Sequence, residues 1–335
     1  MSERWITIQP EGSISSDGSE WSGKIHKGSE NKLAVIFYGG GVAYNDASAQ
    51  ATEGFFIRNM KGLEAFGKDG IFSDSKDNPF ADWNIITIPY TTGDFHVGTG
   101  DYTFTEEDGT VVTRYHHGYT NYRLMMDAAL KELNINPDAL LVTGFSAGGF
   151  GTSFLTGDII ENYFPDVKNV TALVDSSLLF YTGWKTVAKE IWKAPDKIVE
   201  RIASGNVTID NLRALRADHP EVKILFDCSN ADEVLSAFTK IMVTDTDMML
   251  TAKGRNRFKL LLSEMIADLL ELPNSGVFIW NLPGSMSNMA STYSKHTIEA
   301  GDEFFTESFA GHTIAGWAMD AVEGKVYSCG LDLLF

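Results

Sequence analysis

The stretch LLVTGFSAGGFGTSF, Leu140 to Phe154, places Ser146 between an apolar run and a helix-like run, with Gly144, Ala147, Gly148 and Gly149 around it. Leu140–Gly144 has strand character and the residues after Ser146 have helix character, so the local order is strand, tight turn, helix. Such a turn strains the residue at its apex and packs the helix against the strand, so its neighbours must be small. The start of the helix also aims backbone N–H groups at the turn, where they can stabilise a developing oxyanion. A nucleophilic serine fits this G-x-S-x-G pattern. Glycine-rich turns of this kind also bind phosphate or merely pack, but GFSAGG has no P-loop lysine and its glycines do not follow G-x-G-x-x-G.

Working outward, short β-rich runs recur at LAVIFY (33–38), NIITIPY (84–90), ALLVTG (139–144), VTALVDS (170–176), VKILFDC (222–228) and VFIWNL (277–282). Between them, YTNYRLMMDAALKEL (119–133) and LLLSEMIADLLEL (260–272) repeat apolar residues at helical spacing. Strands alternating with helices predict an α/β fold with a mainly parallel sheet and helices on both faces. Residues 1–335 read as one domain. The stretch 178–220 is helical in pattern, lies between two strands, and is expected to be a helical insertion capping one end of the sheet. Polar, glycine-containing segments at 11–24 and 99–112 read as loops or hairpins.

Counting 27 Lys and Arg against 45 Asp and Glu gives a formal net charge of −18, which disfavours nucleic acid, anionic membrane surfaces and polyanionic substrates. No basic, apolar leader opens the sequence, and no run approaches the roughly 18 apolar residues of a membrane span. Only Cys228 and Cys329 occur, too few for a disulfide framework. The expectation is a cytoplasmic protein, although removal of a signal segment would leave the same reading.

A serine nucleophile needs a base, and the base needs an acid, in the chain order Ser, acid, His. Seven histidines are present: His26, His96, His116, His117, His219, His296 and His312. Only His296 and His312 follow the last predicted strand, His296 in a polar loop and His312 at the opening of a helical pattern. The run DCSNADEV offers Asp227, Asp232 and Glu233 as acids, with Asp175 of VDSS as an alternative; any of them could equally be a helix cap. A second glycine cluster, FYGGGVAYN (37–45), follows the strand LAVIFY. In hydrolases with a nucleophile elbow such a loop supplies one oxyanion donor and the residue after the serine the other, which nominates Gly41 and Val42 with Ala147 opposite.

Together, GGGVAYN, PYTTGDFHVG (89–98), YHHGYTN (115–121), GFSAGGFG, VDSS and YSKHTI (293–298) resemble the pectin acetylesterase family, from about Gly18 to Val322. The family shows similar PYCTGD and SAGG signatures in the same order. The resemblance implies an α/β-hydrolase fold with a serine triad that removes acyl groups from carbohydrate or protein esters; the reading adopted is a deacetylase of small or carbohydrate esters that needs no cofactor and no metal. The resemblance implies Ser146 as nucleophile, Asp232 as acid and His296 as base, with His312 in a late helix. The chain departs from the family where GGGVA at Gly39–Ala43 replaces GGGWC and where Thr91 replaces a cysteine. Loss of the tryptophan changes the pocket wall, and together with the acidic surface it argues against pectin itself. Two other readings are a silent hydrolase-fold binding module and a metal-dependent hydrolase using Asp94, His96, His116 and His117. Oligomeric state is not readable from the sequence.

Overall fold

The computed structural model describes residues 5–51, 54–63, 66–243, 251–284 and 293–334. Among the described residues ten strands form in chain order: β1 (Trp5–Ile8), β2 (Gly23–His26), β3 (Lys32–Phe37), β4 (Asn84–Ile88), β5 (Gly100–Thr105), β6 (Val111–His116), β7 (Ala139–Phe145), β8 (Val170–Asp175), β9 (Lys223–Ser229) and β10 (Ser275–Trp280). Eight of them make one sheet in the order β1-β2-β4-β3-β7-β8-β9-β10. From β4 to β10 the pairs are parallel, whereas β1 with β2 and β2 with β4 are antiparallel.

Each of the six runs read as strands lies in this parallel part. All residues of β4, β7, β8 and β9 are buried, because helices cover both faces and leave no polar face to alternate with. β1 and β2 escape the sequence reading, since four residues are too few to show a period. The segment 99–112 contributes to the separate β5–β6 hairpin.

The longer helices are α1 (Gly118–Leu133), α2 (Ala147–Tyr163), α3 (Val207–Asp218), α4 (Glu233–Val243), α5 (Ala252–Leu270) and α6 (Ile314–Val322). Every residue of α2 from Ala147 to Gly157 is buried, with β7 and β8 on one side and α3 on the other. Within 178–220, then, α3 is a layer helix over α2, while the start of the segment, Leu178 and Leu179, is buried at the strand ends. α5 begins eight residues before the predicted 260, because KGRNRFK hides its helical period behind basic residues. Among the described residues no helix is long and apolar enough to cross a membrane.

At the far edge of the sheet, β10 does not lie open. Cys329 bridges Phe278 in parallel, its N–H donating to Val277 O at 2.8 Å and its carbonyl accepting Ile279 N–H at 3.0 Å. At the other end of interest, β3, β7, β8 and β9 finish at Phe37, Phe145, Asp175 and Ser229. The crevice beyond the carboxyl ends of parallel strands is where open α/β sheets place their ligands.

Candidate active site

Ser146 follows β7 directly, with φ 56° and ψ −124°. A left-handed φ on a residue with a Cβ costs about 1–3 kcal/mol and persists only where the surroundings enforce it. Here they do. Ser146 N–H donates to Asp175 O at 2.9 Å, and its carbonyl accepts Ser177 Oγ at 2.6 Å. The flanking glycines have a steric reason: a Cβ on Gly148 would run into the Phe37 carbonyl, one on Gly144 into the Gly148 carbonyl, and one on Gly149 into Ser177 Oγ. The strand, turn and helix can meet at this spacing only without side chains there.

The candidate acid and base come from two loops stitched together. Ser294 N–H donates to Ala231 O at 2.9 Å and Glu233 N–H to Ser294 O at 3.0 Å, so the residues before His296 run alongside those before α4. Asp232 is fully buried and serves both purposes considered for it. Its Oδ1 accepts Leu235 N–H at 2.8 Å, capping α4, and its Oδ2 lies 2.7 Å from His296 Nδ1. Burial alone would lower the imidazole below its ordinary 6.5, but the Asp232 carboxylate, with Asp175 and Glu233 behind it, outweighs burial and holds it above that value. The carboxylate also fixes the tautomer by accepting a hydrogen bond from Nδ1–H. His296 Nε2 is buried with no hydrogen-bond partner among the described residues.

Opposite lies the glycine loop after β3. Gly41, at φ 82°, forms an antiparallel bridge with Phe56. The bridge is closed by Val42 N–H to Phe55 O and Ile57 N–H to Gly40 O, each 2.8 Å. That pattern turns the N–H of Gly41 itself away from Phe56. It also corrects one expectation: the Val42 N–H is taken by Phe55 O and is not free for an oxyanion. The Gly41 and Ala147 N–H groups donate to no acceptor among the described residues.

Ser146, His296, Gly41, Val42 and Ala147 border one cavity of about 200 Å³. Gly39–Val42, Phe66, Phe95, Phe145, Ala147, Phe150, Leu179, Val234, Leu235 and Phe238 form its apolar wall, and Ser146, His296 and Thr297 are the polar side chains on it. No charged side chain of the described residues lines it. Three wall residues come from α4, which sequence reading passed over, although EVLSAF just after the candidate acid carries the signal. Phe95 is placed by the PYTTGDFHVG motif. Asp94 accepts Thr92 Oγ1, His96 N–H and Gly118 N–H, and Phe95 and His96 take φ of 50° and 64°. Phe95 then stacks on Phe150 at 4.0 Å. Burial lowers the His96 imidazole to about 4, so it is neutral at pH 7 and donates Nε2–H to Tyr38 O at 2.9 Å, anchoring the start of the glycine loop.

The remaining candidates are elsewhere or differently engaged. His312 is exposed and pairs with Tyr327 Oη at 3.1 Å, just outside α6. Asp227 lies within β9 and accepts Trp280 Nε1–H at 2.9 Å. Asp175 touches the base loop by accepting Ile298 and Glu299 N–H, each 2.9 Å, but does not bond the imidazole. The proposed metal ligands are spent on the fold: besides Asp94 and His96, His116 Nδ1 meets Thr92 O and His117 Nε2 meets Asp101 Oδ1. Among the described residues no group of three or more His, Cys, Asp or Glu is arranged to hold a metal ion. Residues 288–292 of the predicted base loop lie outside the described residues.

A family model described as Pectinacetylesterase matches residues 6–206. That span contains Gly41, Val42, Ser146 and Ala147, and ends before Asp232 and His296. Two crystal structures of the Wnt deacylase Notum from Drosophila are similar to the whole chain. One aligns with TM-score 0.66 at 13% identity, covering 97% of this chain and 96% of that one. The other, from a second crystal form, aligns with TM-score 0.62 at 13% identity, covering 96% and 93%. At that identity the likeness concerns the fold, which is that of an α/β-hydrolase. No curated protein sequence matches the chain.

Proposed function

The chain belongs to the pectinacetylesterase family, a family of esterases, and on that premise we propose that it is a serine carboxylic ester hydrolase working through Ser146, His296 and Asp232. The observation that carries this reading is the 2.7 Å contact between His296 Nδ1 and Asp232 Oδ2, with the unpartnered Nε2 of the same ring bordering the cavity that holds Ser146. Ser146 Oγ attacks the ester carbonyl and passes its proton to His296 Nε2. The alkoxide that develops is met by the N–H groups of Gly41 and Ala147. The imidazolium returns the proton to the departing alcohol, leaving an acyl-enzyme. Water, deprotonated by His296, then releases the acid and restores the serine.

The substrate in this reading is a small or carbohydrate acyl ester, its uncharged acyl part in the apolar cavity. Residues 1–335 act as one hydrolase unit, with the insertion 178–220 contributing Leu179 to the acyl wall. A fluorophosphonate probe with mass mapping tests the nucleophile. Labelling of Ser146, lost in Ser146→Ala, is expected; an unlabelled Ser146 in folded protein would leave a hydrolase fold kept for binding alone. A screen of p-nitrophenyl esters by acyl length identifies the acyl group.

A further inference from the structure

Asp175, Asp227 and Glu299 are three carboxyl groups with 0% exposure, gathered behind the base loop. Asp175 and Asp227 are register partners at the ends of β8 and β9, so their side chains leave the same face of the sheet from backbones about 5 Å apart. Glu299 reaches them from the loop, three residues past His296. Of the other titratable groups, His296 from the loop faces Asp175, and Cys228, next to Asp227 on β9, feels the charges of Asp175, Asp227 and Asp232. Among the described residues no lysine or arginine pairs with any of the three carboxyls.

One oxygen of each is used by the fold. Asp175 Oδ2 takes the Ile298 and Glu299 N–H groups, Asp227 Oδ1 takes the Trp280 indole, and Glu299 Oε1 is 2.8 Å from Thr143 Oγ1. The other oxygens, Asp175 Oδ1, Asp227 Oδ2 and Glu299 Oε2, are buried without a hydrogen-bond partner among the described residues, and beside Asp175 lies the Ser176 hydroxyl, which is likewise unpartnered. Ionised carboxylates only accept, so Asp175 Oδ1 and Asp227 Oδ2 can satisfy each other only if one of them carries a proton. Thr143 has a single hydroxyl hydrogen yet also faces Leu173 O at 3.0 Å; both contacts are satisfied if Glu299 is the acid and donates to Thr143.

We propose that the three groups hold two protons and one negative charge, that the charge rests on Asp175, and that Asp175 is the positioning residue tying the base loop to the nucleophile. Asp227 donates its proton from Oδ2 to Asp175 Oδ1, and Glu299 donates to Thr143. Asp175 keeps the charge because two N–H groups point at it and it faces the imidazole. Its carbonyl meanwhile accepts Ser146 N–H at 2.9 Å, so one residue grips the nucleophile with its main chain and the segment after His296 with its side chain. Thr297, between them, has φ 59° and needs that grip. Burial, then repulsion from Asp175, pushes Asp227 and Glu299 well above the carboxylate range. Burial raises Asp175 too, but the Glu299 and Ile298 N–H groups, the Ser176 hydroxyl and His296 pull it back.

For acids raised in the folded state, the stabilisation is complete below the unfolded values and is lost as pH climbs through the folded ones. The catalytic half of the proposal rests on the serine-esterase reading; the proton count does not. The experiment measures Tm against pH, and kcat and KM for a p-nitrophenyl ester against pH, in wild type, Asp175→Asn, Asp227→Asn and Glu299→Gln. Asp227→Asn and Glu299→Gln keep a donor where the acid proton sits but cannot ionise, so above the unfolded-state carboxylate range their Tm should fall less steeply with pH than that of wild type. Asp175→Asn should lower kcat about tenfold with KM little changed, and move the acid limb of kcat/KM to lower pH, because the imidazolium loses a nearby charge. Curves of Tm against pH that superimpose on wild type would overturn the proton sharing. An unmoved acid limb in Asp175→Asn would overturn its positioning role, since damage to folding alone lowers the amplitude without moving the limb. Should Asp175→Asn not fold, or the ester not turn over, the Tm curves of the other two variants still decide the proton count.

Discussion

The two halves of the site are made of different material. On one side are glycines and main chain: Gly39–Val42 after β3 and the elbow from Gly144 to Gly149, in which close approach replaces side-chain contact. On the other are carboxyls and an imidazole, Asp175, Asp227, Asp232, His296 and Glu299, gathered from β8, β9 and two later loops. The first half is held by steric exclusion, which is indifferent to pH. The second is held by protons, so pH acts on its geometry and its chemistry together.

The contrast breaks most sharply at the polar groups that the two halves bring to the same cavity. Ser146→Ala and His296→Ala should each lose at least about a thousandfold in ester turnover while folding normally, since the remaining groups only bind substrate and oxyanion. Near wild-type turnover in either, measured with p-nitrophenyl esters, would remove that residue from the mechanism. Asp232→Asn should cost about a hundredfold or more, because the amide no longer selects the tautomer with Nε2 free to accept a proton. A loss below about tenfold would make Asp232 mainly the cap of α4.

On the proposed mechanism His296 must be neutral to accept the serine proton, and its carboxylate neighbours hold the imidazole above 6.5. The pH profile of kcat/KM should therefore fall on the acid side with a midpoint above that value; a midpoint well below it would mean the field around His296 is misread. On the glycine side, effects are smaller and steric. Val42 is buried on the cavity wall, and Val42→Trp should cut the butyrate-to-acetate ratio of kcat/KM several-fold, about 0.8 kcal/mol for each methylene excluded. An unchanged ratio would move acyl selectivity to Leu179 and α4. Smallest of all, His312→Ala should keep turnover and change stability by no more than about 0.5 kcal/mol by thermal unfolding.

What was legible in the sequence divides along the same line. The elbow, the glycine loop and the six parallel strands are local: each is contiguous, and sterics or burial on both faces dictates its composition. Asp232 and His296 could be placed by chain order and by resemblance, yet their meeting depends on the Ser294 bridge across more than sixty residues of chain, which no local pattern encodes. Val42 was misread for the same reason, since its N–H is claimed by Phe55, thirteen residues on. Asp227 and Glu299 gave no signal as a pair with Asp175, because a buried acid on a strand and an acid in a polar loop look ordinary until the sheet brings them together.

The strand-like run at Cys329 beside β10 has a consequence outside catalysis. Without it, Val277–Trp280 would present the free edge of a parallel sheet whose residues are all apolar, the kind of template on which further copies of a chain can add by main-chain pairing. The residues around Cys329 therefore act as a guard against self-association. A chain ending at Lys325 should keep its parallel strands yet scatter light increasingly with concentration, and a truncated chain that stays monomeric would show that the edge is protected by other means.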